Sequence, residues 1–286
     1  MGFSRVEDTH FPKNRYIRVQ DKLMDLTIPK VMGIVNLTPD SFFSESRVQN
    51  DSFLLNEIEK MIVDGADFID IGGYSTRPKA ENVSEAEEIE RILEPLQKIR
   101  KAFPALPISL DTFRGSVAEI GYNEGVDIIN DISGFQYDKS LLSTLEKIKL
   151  PYILMHVQAE KKNMHKTEEN ELIFREMIQY FSQKIHLLNE RGLTDIIVDP
   201  GFGFSKTLEQ NYQLLDQLDL FHLLDRPLLA GFSRKSMIYK KLETTPEEAL
   251  NGTTILNTRA ILKGASILRV HDVKAAKEVI TLTRLS

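Results

Sequence analysis

Eight short apolar runs in this chain each end on, or lead directly into, residues that can do chemistry. Val31–Val35 ends at Asn36, and Phe68–Ile71 leads into Gly72-Gly73-Tyr74-Ser75-Thr76-Arg77-Pro78. Ile108–Leu110 ends at Asp111, Val126–Ile129 at Asn130-Asp131, Tyr152–Met155 at His156 and Ile196–Val198 at Asp199. Leu228–Ala230 leads into Gly231-Phe232-Ser233-Arg234-Lys235, and Ile267–Val270 carries Arg269 and is followed by His271-Asp272. Two chemistries suit these residue types. Asn36, Arg77, Lys235, Arg269 and His271 are suited to neutralising phosphate oxygens. Asp111, Asn130 and Asp199 are short, rigid donors and acceptors that need a donor-rich partner when buried, such as the edge of an amino-pyrimidine ring. Met155 is either the floor of such a ring or plain core. Any single Asp or Asn here is equally a helix cap or turn former, a reading that weakens when all eight ends share one mouth.

The runs are β-branched and nearly continuously apolar, as parallel strands buried on both faces require. Amphipathic segments separate them: Leu54–Asp64, Glu85–Phe103, Glu169–Arg191, Pro246–Leu262 with Thr245 as N-cap, and Val273 to Thr283. Eight strands alternating with helices predict a single (β/α)₈ barrel over residues 31–286, whose chemistry sits at the C-terminal strand ends. The rival is an open doubly wound sheet. Against it, no G-x-G-x-x-G follows the first strand and no P-loop occurs. Residues 1–30 are expected to form an N-terminal extension with a hairpin, Tyr16–Gln20 and Met24–Thr27, closing the barrel's N-terminal face.

The chain has 286 residues, enough for a sizeable core, and a net charge of −6 that argues against a nucleic-acid partner. It has no cysteine, which excludes disulfides, thiolate metal sites and a cysteine nucleophile. No histidine–carboxylate cluster has zinc spacing, which leaves room for a Mg²⁺ held mainly by phosphates and water. No apolar run approaches a membrane span, and the N-terminal stretch lacks the apolar core of a secretion signal. The expectation is a cytoplasmic protein without membrane partners.

Taken in order, Asn36-Leu37-Thr38-Pro39-Asp40-Ser41-Phe42, Gly72–Pro78, Ser109-Leu110-Asp111-Thr112, Asn130-Asp131, Asp199-Pro200-Gly201-Phe202-Gly203-Phe204, Ser233-Arg234-Lys235-Ser236 and Arg269-Val270-His271-Asp272 resemble the dihydropteroate synthase family. The resemblance runs from about Val31 to the C-terminus. It implies a TIM barrel, usually dimeric. The implied reaction joins 6-hydroxymethyl-7,8-dihydropterin pyrophosphate to p-aminobenzoate, a substrate that sulfonamides mimic. It further implies that Asp111, Asn130, Asp199 and Lys235 bind the pterin with Met155 packed on its ring. Asn36, Arg77, Arg269 and His271 hold the pyrophosphate, Asn36 together with Mg²⁺. Phe42, Thr76, Arg77, Pro78, Phe204 and Ser236 shape the p-aminobenzoate site. Asp40, Asp111, Lys235, Arg269 and His271 carry the catalytic work. Two loops depart from the family pattern. Phe43-Ser44-Glu45-Ser46 stands where Asp-Gly-Gly is usual, and His156-Val157-Gln158-Ala159-Glu160-Lys161 lacks the usual Gly and Pro.

The implied order is dissociative, with the C–O bond to pyrophosphate breaking ahead of attack by a weak aromatic amine. Such an amine has a free lone pair at neutral pH, which accounts for the lack of a nucleophile–base dyad. Within this reading Ser236 should open a short helix from Arg234 to Lys240, His271 is an anion ligand or else a turn-capping residue, and His156 is structural. Two alternatives are a pterin-binding methyltransferase and a catalytically silent pterin-binding paralogue. The first has no need of Thr76-Arg77-Pro78, Ser233-Arg234-Lys235 or Arg269 with His271; the second should release no pyrophosphate.

Overall fold

The structure, a computed structural model, describes residues 15–37, 47–74, 83–158 and 172–284, with the backbone alone for 47–51. The β-branched runs form strands as expected. β1 (Tyr16–Val19) and β2 (Lys22–Asp25) make an antiparallel hairpin. β3 (Lys30–Asn36), β4 (Phe68–Gly72), β5 (Ile108–Asp111), β6 (Ile128–Asp131), β7 (Tyr152–Met155), β8 (Ile196–Asp199), β9 (Leu229–Ala230) and β10 (Ile267–Val270) are all parallel. Each pairs with its neighbour in chain order, and β10 pairs with both β3 and β9. A bridge between Val198 and Leu228 joins β8 to β9 and closes the barrel. The doubly wound alternative is excluded by that closure.

Helices α1 (Arg47–Val63), α2 (Glu85–Ala102), α3 (Gly115–Asn123), α4 (Ser140–Ile148), α5 (Ile173–Glu190), α6 (Leu208–Asp216), α7 (Ser236–Tyr239), α8 (Leu250–Leu262) and α9 (Val273–Thr283) connect the strands. The helix ends follow local chemistry. The Ser84 hydroxyl accepts from Glu87 N at the start of α2, and Thr207 with Gln210 forms a capping box at α6. Helices α3, α4 and α6 have nine residues each, too few for an apolar stripe to stand out in the sequence.

Several boundaries differ from expectation. Helix α1 begins at Arg47 rather than Leu54, α5 at Ile173 rather than Glu169, and the second hairpin strand is Lys22–Asp25 rather than Met24–Thr27. The fourth barrel strand begins at Ile128 rather than Val126, because Val126 N still bonds Gly121 O in the turn closing α3. Asp127 is then spent on Ile108 N and on Arg100, 2.6 Å away. Helix α8 begins at Leu250 rather than Pro246; residues 245–249 instead form turns in which Glu248 N bonds Thr245 O. The helix expected over Arg234–Lys240 shrinks to Ser236–Tyr239, since Arg234 lies in the left-handed region at φ 56° and Lys235 is extended.

Side chains alternate along each strand, so the barrel interior comes in layers two residues apart. The lowest layer is apolar: Met32, Phe68, Ile128, Ile153, Ile197, Leu229 and Ile267 form one buried cluster with Ile17, Val19 and Leu26 of the hairpin segment. The hairpin therefore plugs the N-terminal face, as expected. The outward residues, such as Val35, Ile71, Leu110 and Leu268, belong to a second, larger cluster with the surrounding helices. Among the described residues no helix is long and apolar enough to cross a membrane.

Ile17 is 1% exposed. Ile17→Ala should lower the unfolding free energy by about 2–5 kcal/mol in urea denaturation. A loss below about 0.5 kcal/mol would show that the hairpin is no part of the core.

Candidate active site

Two residues above the apolar layer, the same inward alternation places Asp70, Ser109, Asn130, Met155, Asp199 and Arg269. A barrel layer usually filled by branched apolar side chains is here largely polar. Arg269 lies at its centre. Its Nε donates to Asp70 Oδ2 at 2.6 Å and its Nη2 to Asp111 Oδ2 at 2.9 Å. Asn130 Nδ2 also donates to Asp70 Oδ2, at 3.0 Å. One guanidinium thus serves two carboxylates, and Asp70 ties it to Asn130.

Asp70 had no role in the sequence reading. A charged residue inside the otherwise apolar run Phe68–Ile71 was the available sign, because a strand covered on both faces admits an acid only where something pairs it. Its side chain is fully buried.

Asp111 is raised to about 7 from the ordinary 3.8. Burial is the main cause and outweighs Arg269, whose charge is shared, while Asp70 adds repulsion. Asp199 is likewise raised by burial, although Lys235 and a 2.7 Å hydrogen bond from Gly201 N pull the other way. Lys235 Nζ donates to Phe202 O at 2.6 Å and lies 4.9 Å from the centre of the Phe204 ring. Burial lowers it to about 8, with Asp199 opposing. Asn36 and Gly72 are register partners at the mouth. A Cβ on Gly72 would come within 3.3 Å of Asp111 Cβ, so the glycine leaves room for that acid.

The N-cap position of the following helix falls on Asp272. His271 Nδ1 lies 2.9 Å from Ser233 Oγ, which also accepts from His271 N. Asp272, beside it, is bound by Arg234 in two hydrogen bonds of 3.0 and 2.7 Å. The β9 loop and the end of β10 are therefore laced together. Ser236 is the first residue of α7, a single turn, so the expected seven-residue helix does not present it. Met155 is 2% exposed and packs at the mouth with Phe113, Ile132, Val157 and Phe204, apart from the two larger clusters. His156 is buried edge-on against Tyr180 at 5.0 Å, and burial pulls its pKa well down, as a structural histidine requires.

Asp40, Phe42, Thr76, Arg77 and Pro78 lie outside the described residues. The base of the segment holding the last three is described. Glu88 on α2 is fully buried, pairs with Arg114 and accepts from Thr112 Oγ1 at 2.7 Å. Arg114 Nη2 donates to Val83 O at 2.6 Å, and its guanidinium lies 5.6 Å from the Tyr74 ring.

The geometry offers a polar barrel centre in which Asp70 Oδ1 has no hydrogen-bond partner, a cationic rim and an apolar wall. That combination suits a flat, donor-rich heterocycle carrying an anionic group. Comparison with known proteins agrees. The family model described as pterin binding enzyme matches residues 32–271. A dihydropteroate synthase of Synechocystis sp. is 42% identical over 87% of this chain and 87% of its own length. The dihydropteroate synthase of Yersinia pestis, solved with a sulfonamide drug, superposes with a TM-score of 0.86 at 36% identity, covering 93% of this chain and 97% of that one. The Xanthomonas albilineans enzyme of the same name, solved with 4-aminobenzoic acid, gives 0.84 at 31% identity, covering 94% and 96%.

The raised Asp111 has a consequence for stability. It holds its proton to about pH 7 when folded but only to about pH 4 when unfolded. Between those values the folded state binds more protons, so the unfolding free energy should fall as pH rises and level off above about 7. Asp111→Asn should flatten this slope in ligand-free denaturation curves. An equal slope in the variant would show that Asp111 does not hold the proton.

Proposed function

The chain belongs to the pterin-binding enzyme family, among the dihydropteroate synthases, and from that membership we propose how its residues join 6-hydroxymethyl-7,8-dihydropterin pyrophosphate to p-aminobenzoate. The observation that carries the assignment is the polar layer at the barrel centre, with Arg269 between Asp70 and Asp111 and with Asn130 and Asp199 beside it. Asp199 accepts the amino-pyrimidine N–H pair of the pterin. Asp111, Asn130 and Lys235 complete its edge, and Met155 packs against the ring. Ligand N–H groups would stabilise the charged forms of Asp111 and Asp199, which burial disfavours.

The diphosphate lies toward the rim, on Arg269, His271, Asn36 and Arg77. Among the described residues no group of three or more His, Cys, Asp or Glu could hold a metal. The Asn36 amide oxygen instead suits a Mg²⁺ held mainly by diphosphate oxygens and water, which when bound would supply Lewis-acid stabilisation of the leaving group. The C–O bond breaks with its electron pair leaving on pyrophosphate, where Arg269 and His271 meet the growing charge. The carboxylates of Asp111 and Asp40 stabilise the resulting pterin cation. The p-aminobenzoate nitrogen then bonds to the exocyclic carbon and loses a proton to solvent. Phe42, Thr76, Arg77, Pro78, Phe204 and Ser236 hold p-aminobenzoate, and sulfonamides take the same place. The protein acts in the cytoplasm as a homodimer.

Mixing the two substrates with Mg²⁺ should release pyrophosphate and form 7,8-dihydropteroate; no release contradicts the assignment and favours a silent pterin binder. In calorimetric titration with 6-hydroxymethylpterin, Asp199→Ala should lose about 2–4 kcal/mol of binding. Unchanged affinity would place the pterin elsewhere.

Lys235 and Ser236 divide the two substrates. Lys235→Ala should impair pterin binding and turnover together. Ser236→Ala should weaken p-aminobenzoate alone, by about 1 kcal/mol. Steady-state kinetics in which both variants raise KM for the same substrate contradict this division.

A further inference from the structure

A second lysine lies beneath the site and meets no ligand in the mechanism above. Lys206 is 4% exposed, an unusual position for a lysine. An ammonium has three N–H donors, and three carbonyls take them: Gly201 O at 3.0 Å, Phe204 O at 3.1 Å and His156 O at 3.3 Å. Burial lowers the Lys206 pKa to about 7, with Asp199 opposing, and three carbonyl acceptors favour the charged form, since a neutral amine has only two N–H groups. The carbonyls come from two places, the end of β7 and the loop after β8. That loop is shaped to turn them inward, with Gly201, Gly203 and Ser205 all in the left-handed region. A Cβ on Gly201 would come within 2.3 Å of His156 O, so the two segments are in close contact. The far side of the loop is pinned by Asn211, whose Oδ1 accepts from Gly203 N at 2.7 Å.

The residues between those carbonyls are the ones that receive Lys235. Phe202 O accepts from Lys235 Nζ, and the Phe204 ring lies beside it. We propose that Lys206 is a positioning residue for Lys235: its ammonium gathers the loop carbonyls on either side of Phe202 and so fixes where the Lys235 ammonium sits. The inference rests on the substrate reading above, in which Lys235 binds the pterin.

A double-mutant cycle tests it, with 6-hydroxymethylpterin as the calorimetric probe and melting temperature recorded for each protein. Lys206→Met should weaken the pterin about tenfold or more in the wild-type background. It should change affinity by less than about twofold when Lys235 is already alanine, because its effect passes through that side chain. An equal loss in both backgrounds, or no loss in the first, overturns the proposal; a merely structural lysine gives the former. If the methionine variant does not fold, Lys206→Gln keeps two N–H donors without the charge and runs the same cycle. Wild-type protein that binds no pterin overturns the substrate reading itself, and this inference with it.

Discussion

A single guanidinium shared between a buried carboxylate and a part-buried one sets the terms for the rest of this barrel. Arg269 bonds Asp70 and Asp111 at once, so one cation must serve two acids, and Asp111 is the one held above the ordinary carboxylate range. Buried ion pairs of this kind return little stability, because desolvation consumes most of the Coulomb gain. The fold tolerates the polar layer because the layer below is wholly apolar. Phe68, Ile197, Ile267 and their neighbours are sealed by Ile17, Val19 and Leu26 of the hairpin segment. The strand register pairs Asp70 with Ser109 and Asp111 with Asn130, and Arg269 reaches both acids.

The burial of the site's acids underlies the proposed recognition of a flat, donor-rich heterocycle. Asp111 and Asp199 are both pushed up by burial, so each holds its charge reluctantly in the free protein. A ligand edge bearing paired N–H groups relieves both. The cations are placed by backbone. Lys235 rests on Phe202 O, Lys206 on three carbonyls of the neighbouring loops, and Arg234 is held off by Asp272. Recognition and rigidity therefore draw on the same short segment after β8.

Much of this was legible from the residues. Short, mostly apolar runs marked all eight strands, and their polar ends marked the mouth, because a buried strand must stop where the backbone meets chemistry or water. What stayed hidden was whatever depends on contacts across the barrel. Asp70 lies mid-strand, and only its pairing with Arg269, distant in sequence, makes sense of it. Glu88 reads as one more acid in the first turn of a helix, yet it is buried under Arg114. Pro246 looked like a helix start, but the turn after Thr245 delays the helix to Leu250. Arg234 interrupts its expected helix by adopting a left-handed backbone that lets it reach Asp272. For Asp70, Glu88 and Arg234 a tertiary contact decided the outcome, whereas the start of α8 is set by a local turn.

The central claim is that Asp70 and Asp111 compete for Arg269. Carbon-13 NMR of the Asp111 carboxyl, titrated in the ligand-free wild type and in Asp70→Asn, tests it most directly. With Asp70 neutral, Arg269 serves Asp111 alone and one repulsive charge is gone, so the Asp111 midpoint should fall from about 7 toward the ordinary carboxylate range. A midpoint that stays in place or rises would contradict the account.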